Sequence, residues 1–255
     1  MLFINTRPAD RSSALTQNLT EQGYDVINLP LLELKPRPFG TSLDHMYKQL
    51  GDVQMIVVVS PTAVEIGFQY LQQSGLTLDS IKHIEWIAVG KTTALHLEKY
   101  GVQSHIPEVE TSEGMLSLPI FQQIPHLKKI AFWRGEGGRQ FMMQQCLKNN
   151  VDVLNFVLYE RGCPKDTQHN IRQIAEKIGS YKSSVWTCIS SEASWKNWVD
   201  LLQSYPHIIR DCHYLVLGDR LYNLLNDDKN NLKLDFEVKK INSLDPSVVM
   251  QSLVG

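Results

Sequence analysis

The chain lacks the features that mark several protein classes. Its longest unbroken apolar run is Met55-Ile56-Val57-Val58-Val59, far short of the ~20 residues that span a bilayer. The opening Met1-Leu2-Phe3-Ile4-Asn5-Thr6-Arg7 has no basic segment followed by an apolar one, so no signal peptide is read there. Positive charge is not in excess. Lys and Arg number 25 against 27 Asp and Glu, a net charge of −2, which leaves no general basic surface for a phosphate backbone. Glycine at 15 and proline at 11 are too sparse for a collagen-like or low-complexity chain. The four cysteines, Cys146, Cys163, Cys188 and Cys212, form no C-x-x-C pair, and the eight histidines form no H-x-x-x-H. Zinc ribbons and thioredoxin-type motifs are thereby excluded, and no metal site is expected. The thiols read as buried side chains in a reducing compartment. A cytoplasmic protein without nucleic-acid or membrane partners is expected.

What is present is ordinary globular composition, 43% hydrophobic and 20% charged over 255 residues, enough for one large or two small domains. Within it the chain repeats itself. Leu2-Phe3-Ile4-Asn5-Thr6-Arg7 is matched by Ile130-Ala131-Phe132-Trp133-Arg134, Met55–Ser60 by Val185–Ser190, and Trp86–Gly90 by Tyr214–Gly218. Arg134 follows Arg7 by 127 positions, Ser190 follows Ser60 by 130, and Gly218 follows Gly90 by 128. Nearly constant spacing across strands, caps and turns indicates a tandem duplication. Gly23 and Asn150 stand at matching helix ends, as residues that tolerate a left-handed cap. Short β-branched runs alternate with amphipathic stretches, which predicts two doubly wound parallel α/β domains. The Pro-containing segments Leu34–Pro38 and Arg161–Lys165 correspond and serve as crossovers between domains.

In such sheets the turns after the strands gather at one edge, where helix N-termini present free N–H groups. Here they are Thr6-Arg7-Pro8, Ser60-Pro61-Thr62, Gly90-Lys91-Thr92-Thr93, Thr111-Ser112-Glu113-Gly114, Gly135-Glu136-Gly137-Gly138-Arg139, Ser190-Ser191 and Gly218-Asp219-Arg220. Ser and Thr cap helices in all proteins, so one such turn says little. Seven together, with Arg7, Lys91 and Arg134 among them, point to a polyanionic ligand. Familiar alternatives fail. Gly135-Glu136-Gly137 begins a G-x-G-x-x-G, but Gln140 closes it, and no P-loop or G-x-S-x-G occurs.

The ordered set of motifs resembles uroporphyrinogen-III synthases. It comprises Thr6-Arg7-Pro8, Leu29-Pro30-Leu31-Leu32-Glu33, Ser60-Pro61-Thr62-Ala63-Val64, Ala88-Val89-Gly90-Lys91-Thr92-Thr93-Ala94, Thr111-Ser112-Glu113-Gly114, Arg134–Arg139 and Val157-Leu158-Tyr159-Glu160-Arg161. The resemblance runs from residue 2 to about 225. It implies a monomeric, cofactor-independent cytosolic enzyme of tetrapyrrole (haem) biosynthesis, a cyclising hydro-lyase. Such an enzyme dehydrates hydroxymethylbilane and closes it to uroporphyrinogen III with the last pyrrole ring inverted. Hand-over of the bilane from the enzyme that forms it is a further implied partnership.

The resemblance also implies two α/β domains joined by a two-stranded linker, the N-terminal β-α-β completing the C-terminal domain. The implied domains are 1–36 plus 163–255, and 39–158, with linkers at about 35–39 and 158–164. The substrate's eight carboxylates suit an edge of helix N-termini. Expected substrate-binding residues are Arg7, Ser60, Lys91, Thr92, Thr111, Ser112, Arg134, Gly135, Gly138, Ser190 and Gly218. The resemblance also implies a catalytic role for Tyr159 at the departing hydroxyl, to which a phenol protonated at neutral pH can donate. Strand alternation puts Tyr159 on the face of Val157, which gives burial in the core as its other reading. In the second half Ile189, Ser191-Glu192, Asp219 and Leu221 depart from the family pattern. Glu192 and Asp219 would repel carboxylates if they faced a ligand. The competing function is a non-enzymatic two-domain binder of a small polyanion.

Overall fold

The computed structural model describes residues 1–124, 126–137, 140–232 and 234–254. The chain divides into two units, Met1–Glu33 with Gly162–Gly255, and Leu34–Arg161. It opens in the first unit with β1 (Leu2–Asn5), α1 (Ser13–Glu21) and β2 (Asp25–Asn28). Through β3 (Glu33–Pro36) it enters the second, which continues with α2 (Thr41–Lys48), β4 (Met55–Val58), α3 (Pro61–Gln73) and β5 (Glu85–Ala88). There follow α4 (Lys91–Glu98), α5 (Ser112–Leu116), α6 (Ile120–Gln123), β6 (Lys129–Gly135), α7 (Phe141–Lys148) and the long β7 (Asp152–Gly162). The return to the first unit brings α8 (Lys165–Gly179), β8 (Val185–Ile189), α9 (Glu192–Leu201) and α10 (Pro206–Asp211). The chain closes with β9 (His213–Leu217), α11 (Gly218–Leu232), β10 (Val238–Ile241) and α12 (Pro246–Val254).

Each unit holds a five-stranded sheet, ordered β10-β9-β8-β1-β2 in the first and β3-β7-β6-β4-β5 in the second. The first is parallel throughout; β7, β6, β4 and β5 are parallel in the second. Leu2 lies opposite Val185, so the N-terminal β-α-β completes the C-terminal unit. The central strands β1 and β8 of the first sheet and β4 and β6 of the second are buried on both faces, as crossover helices require. In β4, Met55 and Val57 pack into one apolar cluster while Ile56 and Val58 pack into another. In β1, Leu2 and Ile4 face one cluster and Phe3 the opposite one. Continuous apolar runs are thus what this sheet position demands.

Strand order makes the duplication visible: β2, β1, β8 and β9 occupy the places of β7, β6, β4 and β5. Leu2 pairs with Asp25 and Lys129 with Asp152, both at an offset of 127. The offset of 130 for Ser60 and Ser190 is corrected by the register. Phe3 faces Trp186, its counterpart Ile130 faces Met55, and those partners lie 131 apart. Ser191 is therefore the equivalent of Ser60. Helix ends match as well. Gly23 and Asn150 both have positive φ, +82° and +58°. Tyr24 N–H donates to Leu19 O and Gly23 N–H to Thr20 O, as Val151 donates to Cys146 O and Asn150 to Leu147 O. These are two copies of one Schellman cap.

Candidate functional site

The chemistry of the second unit gathers where β6 and β4 end, the point at which strand order reverses and ligands bind in open α/β sheets. Ser60 caps α3, its Oγ accepting from Ala63 N–H at 3.1 Å, with Pro61 in the first turn. The same Oγ lies 2.9 Å from the Tyr159 hydroxyl. Tyr159 reaches it through an irregularity in β7. Arg134 pairs with Val157, yet the next residue, Gly135, pairs with Tyr159. Leu158 is the extra residue, as in a β-bulge. The expectation that Tyr159 shares the face of Val157 is therefore wrong: Tyr159 packs with Phe156 and Leu158 and is 1% exposed. Its ring lies flat over Gly135, where a Cβ would stand 2.3 Å from Cε2. Any larger residue at 135 would displace the ring.

Beside this pair is a cavity of 180 Å³ lined by Val59, Val89, Ser112, Arg134, Gly135 and Arg161, with methionines 115, 142 and 143 at its apolar wall. Arg134 is 5% exposed and no carboxylate among the described residues lies within 4.0 Å of it. Its guanidinium donates to Gly137 O. Burial lowers its pKa, the neighbouring Tyr159 acts to raise it and Arg161 to lower it again; starting from a guanidinium, the group stays charged. A buried cation facing a cavity is an attractive place for an anion. The cavity is smaller than the ~300 Å³ at which whole-ligand pockets begin, so it has room for one small anionic group rather than for a whole large ligand. Gly138 and Arg139, in the same loop, lie outside the described residues.

The turn opening α4 is occupied from within. Lys91 N–H donates to Glu110 Oε1 at 2.9 Å, and a Cβ at Gly90 would meet that carboxylate at 2.3 Å. The side chains of Lys91 and Thr92 remain exposed. Thr111, next to Glu110, caps α5 by accepting from Gly114 N–H at 3.1 Å, and Ser112 then reaches the cavity wall.

In the first unit Arg7, Ser190 and Gly218 follow the adjacent strands β1, β8 and β9. The turn after β1 is fixed by Asn5, fully buried, which donates to Ser12 O and Thr16 Oγ1 and accepts from Arg7 N–H at 3.3 Å. Thr6 donates to Cys188 O, tying β1 to β8. Ser191, not Ser190, caps α9, accepting from Ser194 N–H at 3.1 Å. Gly218 has φ +78°. The two acidic departures are neutralised locally: Asp219 pairs with Lys240 at 2.5 Å and Glu192 with Arg220. Burial pushes the Cys188 and Cys212 thiols up to about 12. All four cysteines are free thiols, and Cys163 is only half-buried.

The sequence profile of the family described as uroporphyrinogen-III synthase HemD matches residues 13–237. The chain belongs to this family. It is 25% identical over 230 residues to the uroporphyrinogen-III synthase of Escherichia coli K12, covering 89% of this chain and 91% of that protein. To the Synechococcus elongatus uroporphyrinogen-III synthase it is 26% identical over 187 residues, 71% of this chain and 70% of that one. Its fold is similar to a crystal structure of a mutant uroporphyrinogen III synthase from the extremely thermophilic bacterium Thermus thermophilus. There the TM-score is 0.68 at 11% identity, with 100% and 98% of the two chains covered. The Helicobacter pylori uroporphyrinogen-III synthetase gives 0.56 at 14% identity, with 99% of each chain covered.

Within this family fold, sequence reading missed the residues that hold the turns. Arg37 bridges Glu136 at 2.9 Å and Glu160 at 3.2 Å, and its backbone N–H donates to Leu158 O, beside the bulge. Asn5, Thr6 and Glu110 act likewise. Arg37 sat in the Pro-containing crossover motif, Asn5 and Thr6 at a strand end, and Glu110 immediately before the Thr111 cap. Position offered a signal; the partners did not follow from it.

Proposed function

We propose that the chain dehydrates and cyclises hydroxymethylbilane to uroporphyrinogen III, inverting the last pyrrole ring, as a cyclising hydro-lyase of haem biosynthesis that uses no cofactor. The observation that carries the reading is the hydrogen-bonded pair of Tyr159 and Ser60 beside a cavity with a buried guanidinium, in a chain of this family. Departure of the hydroxymethyl oxygen as water needs a proton, and the pair supplies one at neutral pH. The pyrrole nitrogen's electrons stabilise the carbon left behind, so a weak acid in the right place suffices.

Selectivity is then geometric. The substituted α-carbon of the last ring must attack in preference to the free one, which requires the bilane to be held in one conformation. Its carboxylates supply the handles. In the second unit Arg134, Gly135, Ser112, Thr111, Lys91 and Thr92 are the candidate donors, with Gly138 close by in sequence; Arg7, Ser190 and Gly218 are the candidates that the first unit offers. Because Glu110 takes the Lys91 N–H, that turn offers its ammonium and the Thr92 hydroxyl. Local donors rather than overall charge attract the ligand, since the protein is itself net −2. A monomer working in the cytoplasm, receiving bilane from the enzyme that makes it, fits this reading, and no helix of the described residues is long and apolar enough to cross a membrane.

Incubation with hydroxymethylbilane followed by separation of the product isomers tests the proposal. Type III product, above the type I formed spontaneously, is expected. Type I alone at saturating protein would leave the chain a polyanion binder.

A further inference from the structure

We propose that Ser60, rather than Tyr159, is the group that touches the departing hydroxyl, with Tyr159 acting behind it as the reservoir of the proton. The inference rests on the cyclisation reading above and deepens it. Three observations lead to it. Tyr159 is sealed into the apolar cluster at 1% exposure, whereas Ser60 is half-buried at the sheet edge. Ser60 Oγ is the hydrogen-bond partner of the Tyr159 hydroxyl among the described residues, at 2.9 Å. Ser60 Oγ also accepts from Ala63 N–H at 3.1 Å.

These fix the direction of the chain of bonds. If Ser60 donated to Tyr159, the buried phenol proton would be left without an acceptor, at a cost of about 1–3 kcal/mol. Tyr159 therefore donates. Ser60 Oγ then accepts twice, from Tyr159 and from Ala63, which uses both its lone pairs. Its own O–H then has no acceptor among the described residues and is left for a ligand. Linked donors of this kind polarise one another, so the outer O–H is a better donor than an isolated serine.

The proton balance follows. The substrate's carbon–oxygen bond breaks with its electron pair going to oxygen, which takes the Ser60 proton and leaves as water. Ser60 takes the Tyr159 proton, and the phenolate so formed interacts favourably with the buried Arg134 guanidinium. When the macrocycle closes, the proton shed by the terminal ring's α-carbon returns through Ser60 to Tyr159. Water is the net product beyond the macrocycle, and no external acid is consumed.

Turnover to type III product by Ser60→Gly, Ser60→Thr, Tyr159→Phe and the double variant Ser60→Gly with Tyr159→Phe tests this. Glycine keeps most of a helix cap, so Ser60→Gly separates the hydroxyl's chemistry from its capping. Expected are a kcat about 10²-fold lower in Ser60→Gly with little change in KM, and near-normal turnover in Ser60→Thr. Tyr159→Phe should slow the wild type but add nothing in the Ser60→Gly background, because a relay fails once its outer member is gone. An undiminished Tyr159→Phe effect in that background would place Tyr159 itself against the substrate and overturn the proposal. So would unchanged kcat in a folded Ser60→Gly variant. Failure of the wild type to form type III product would instead remove the cyclisation reading before any variant is made.

Discussion

Gly135 and Tyr159 show how one missing Cβ shapes the site. The ring rests where a side chain at 135 would begin, 2.3 Å from a built Cβ, and this contact aims the hydroxyl at Ser60. Gly135→Ala must push the ring away or shift β6. Overpacking of this kind costs about 1–3 kcal/mol, and a displacement near 1 Å at reacting groups costs about 10²-fold in rate. Gly135→Ala is therefore expected to lower the urea midpoint and to cut turnover. Wild-type values for both would show that the ring adapts without loss.

Among the elements, the paired helix caps give the cleanest comparison. Gly23 ends α1 with φ +82° in open space, since a Cβ there meets nothing within 4 Å. Gly23→Ala thus isolates the backbone penalty of the left-handed conformation, about 1–2 kcal/mol. Asn150 ends α7 in the same way at φ +58°, and asparagine already bears part of that cost. Asn150→Ala should lose up to about 1 kcal/mol and Asn150→Gly nothing, measured by urea denaturation. Equal losses in the two Asn150 variants would mean that the asparagine side chain, not the conformation, holds that end. Element-level strain of another kind sits in β7, where the bulge puts Leu158 and Tyr159 both in the core.

At the scale of the molecule, both units bury titratable groups in their neutral form. Burial pushes the thiols of Cys188 and Cys212 up to about 12 and the Tyr214 hydroxyl well above its ordinary value in the first unit. In the second, burial raises Tyr47, with Tyr70 adding to the shift. A pKa raised by folding means that the folded state holds its proton while the unfolded state loses it. The stabilisation is complete below the unfolded values, about 8.5 for thiols and about 10 for phenols, and is lost as pH climbs through the folded ones. The urea midpoint should fall steadily from about pH 8.5 upward. A flat midpoint to about pH 11 would show these groups ionising freely in the folded chain.

The sequence by itself determined the parts whose physics is local or repetitive. Apolar runs such as Met55–Val59 announced strands buried on both faces, Gly23 and Asn150 announced helix ends, and the 127–130 spacing announced two copies of one architecture. Ordered motifs around Arg7, Ser60, Arg134 and Tyr159 were enough to indicate the family. Only the tertiary structure decided the face of Tyr159, because one extra residue in β7 reverses an alternation that period-two counting assumes to be unbroken. It likewise decided that Ser191 matches Ser60, since register is set by pairing between strands far apart in sequence. Contacts such as Glu110 on the α4 turn, Arg37 across Glu136 and Glu160, and Lys240 on Asp219 depend on which turns the sheets bring together. Side chains far apart along the chain carry no mark of their partners until folding places them side by side.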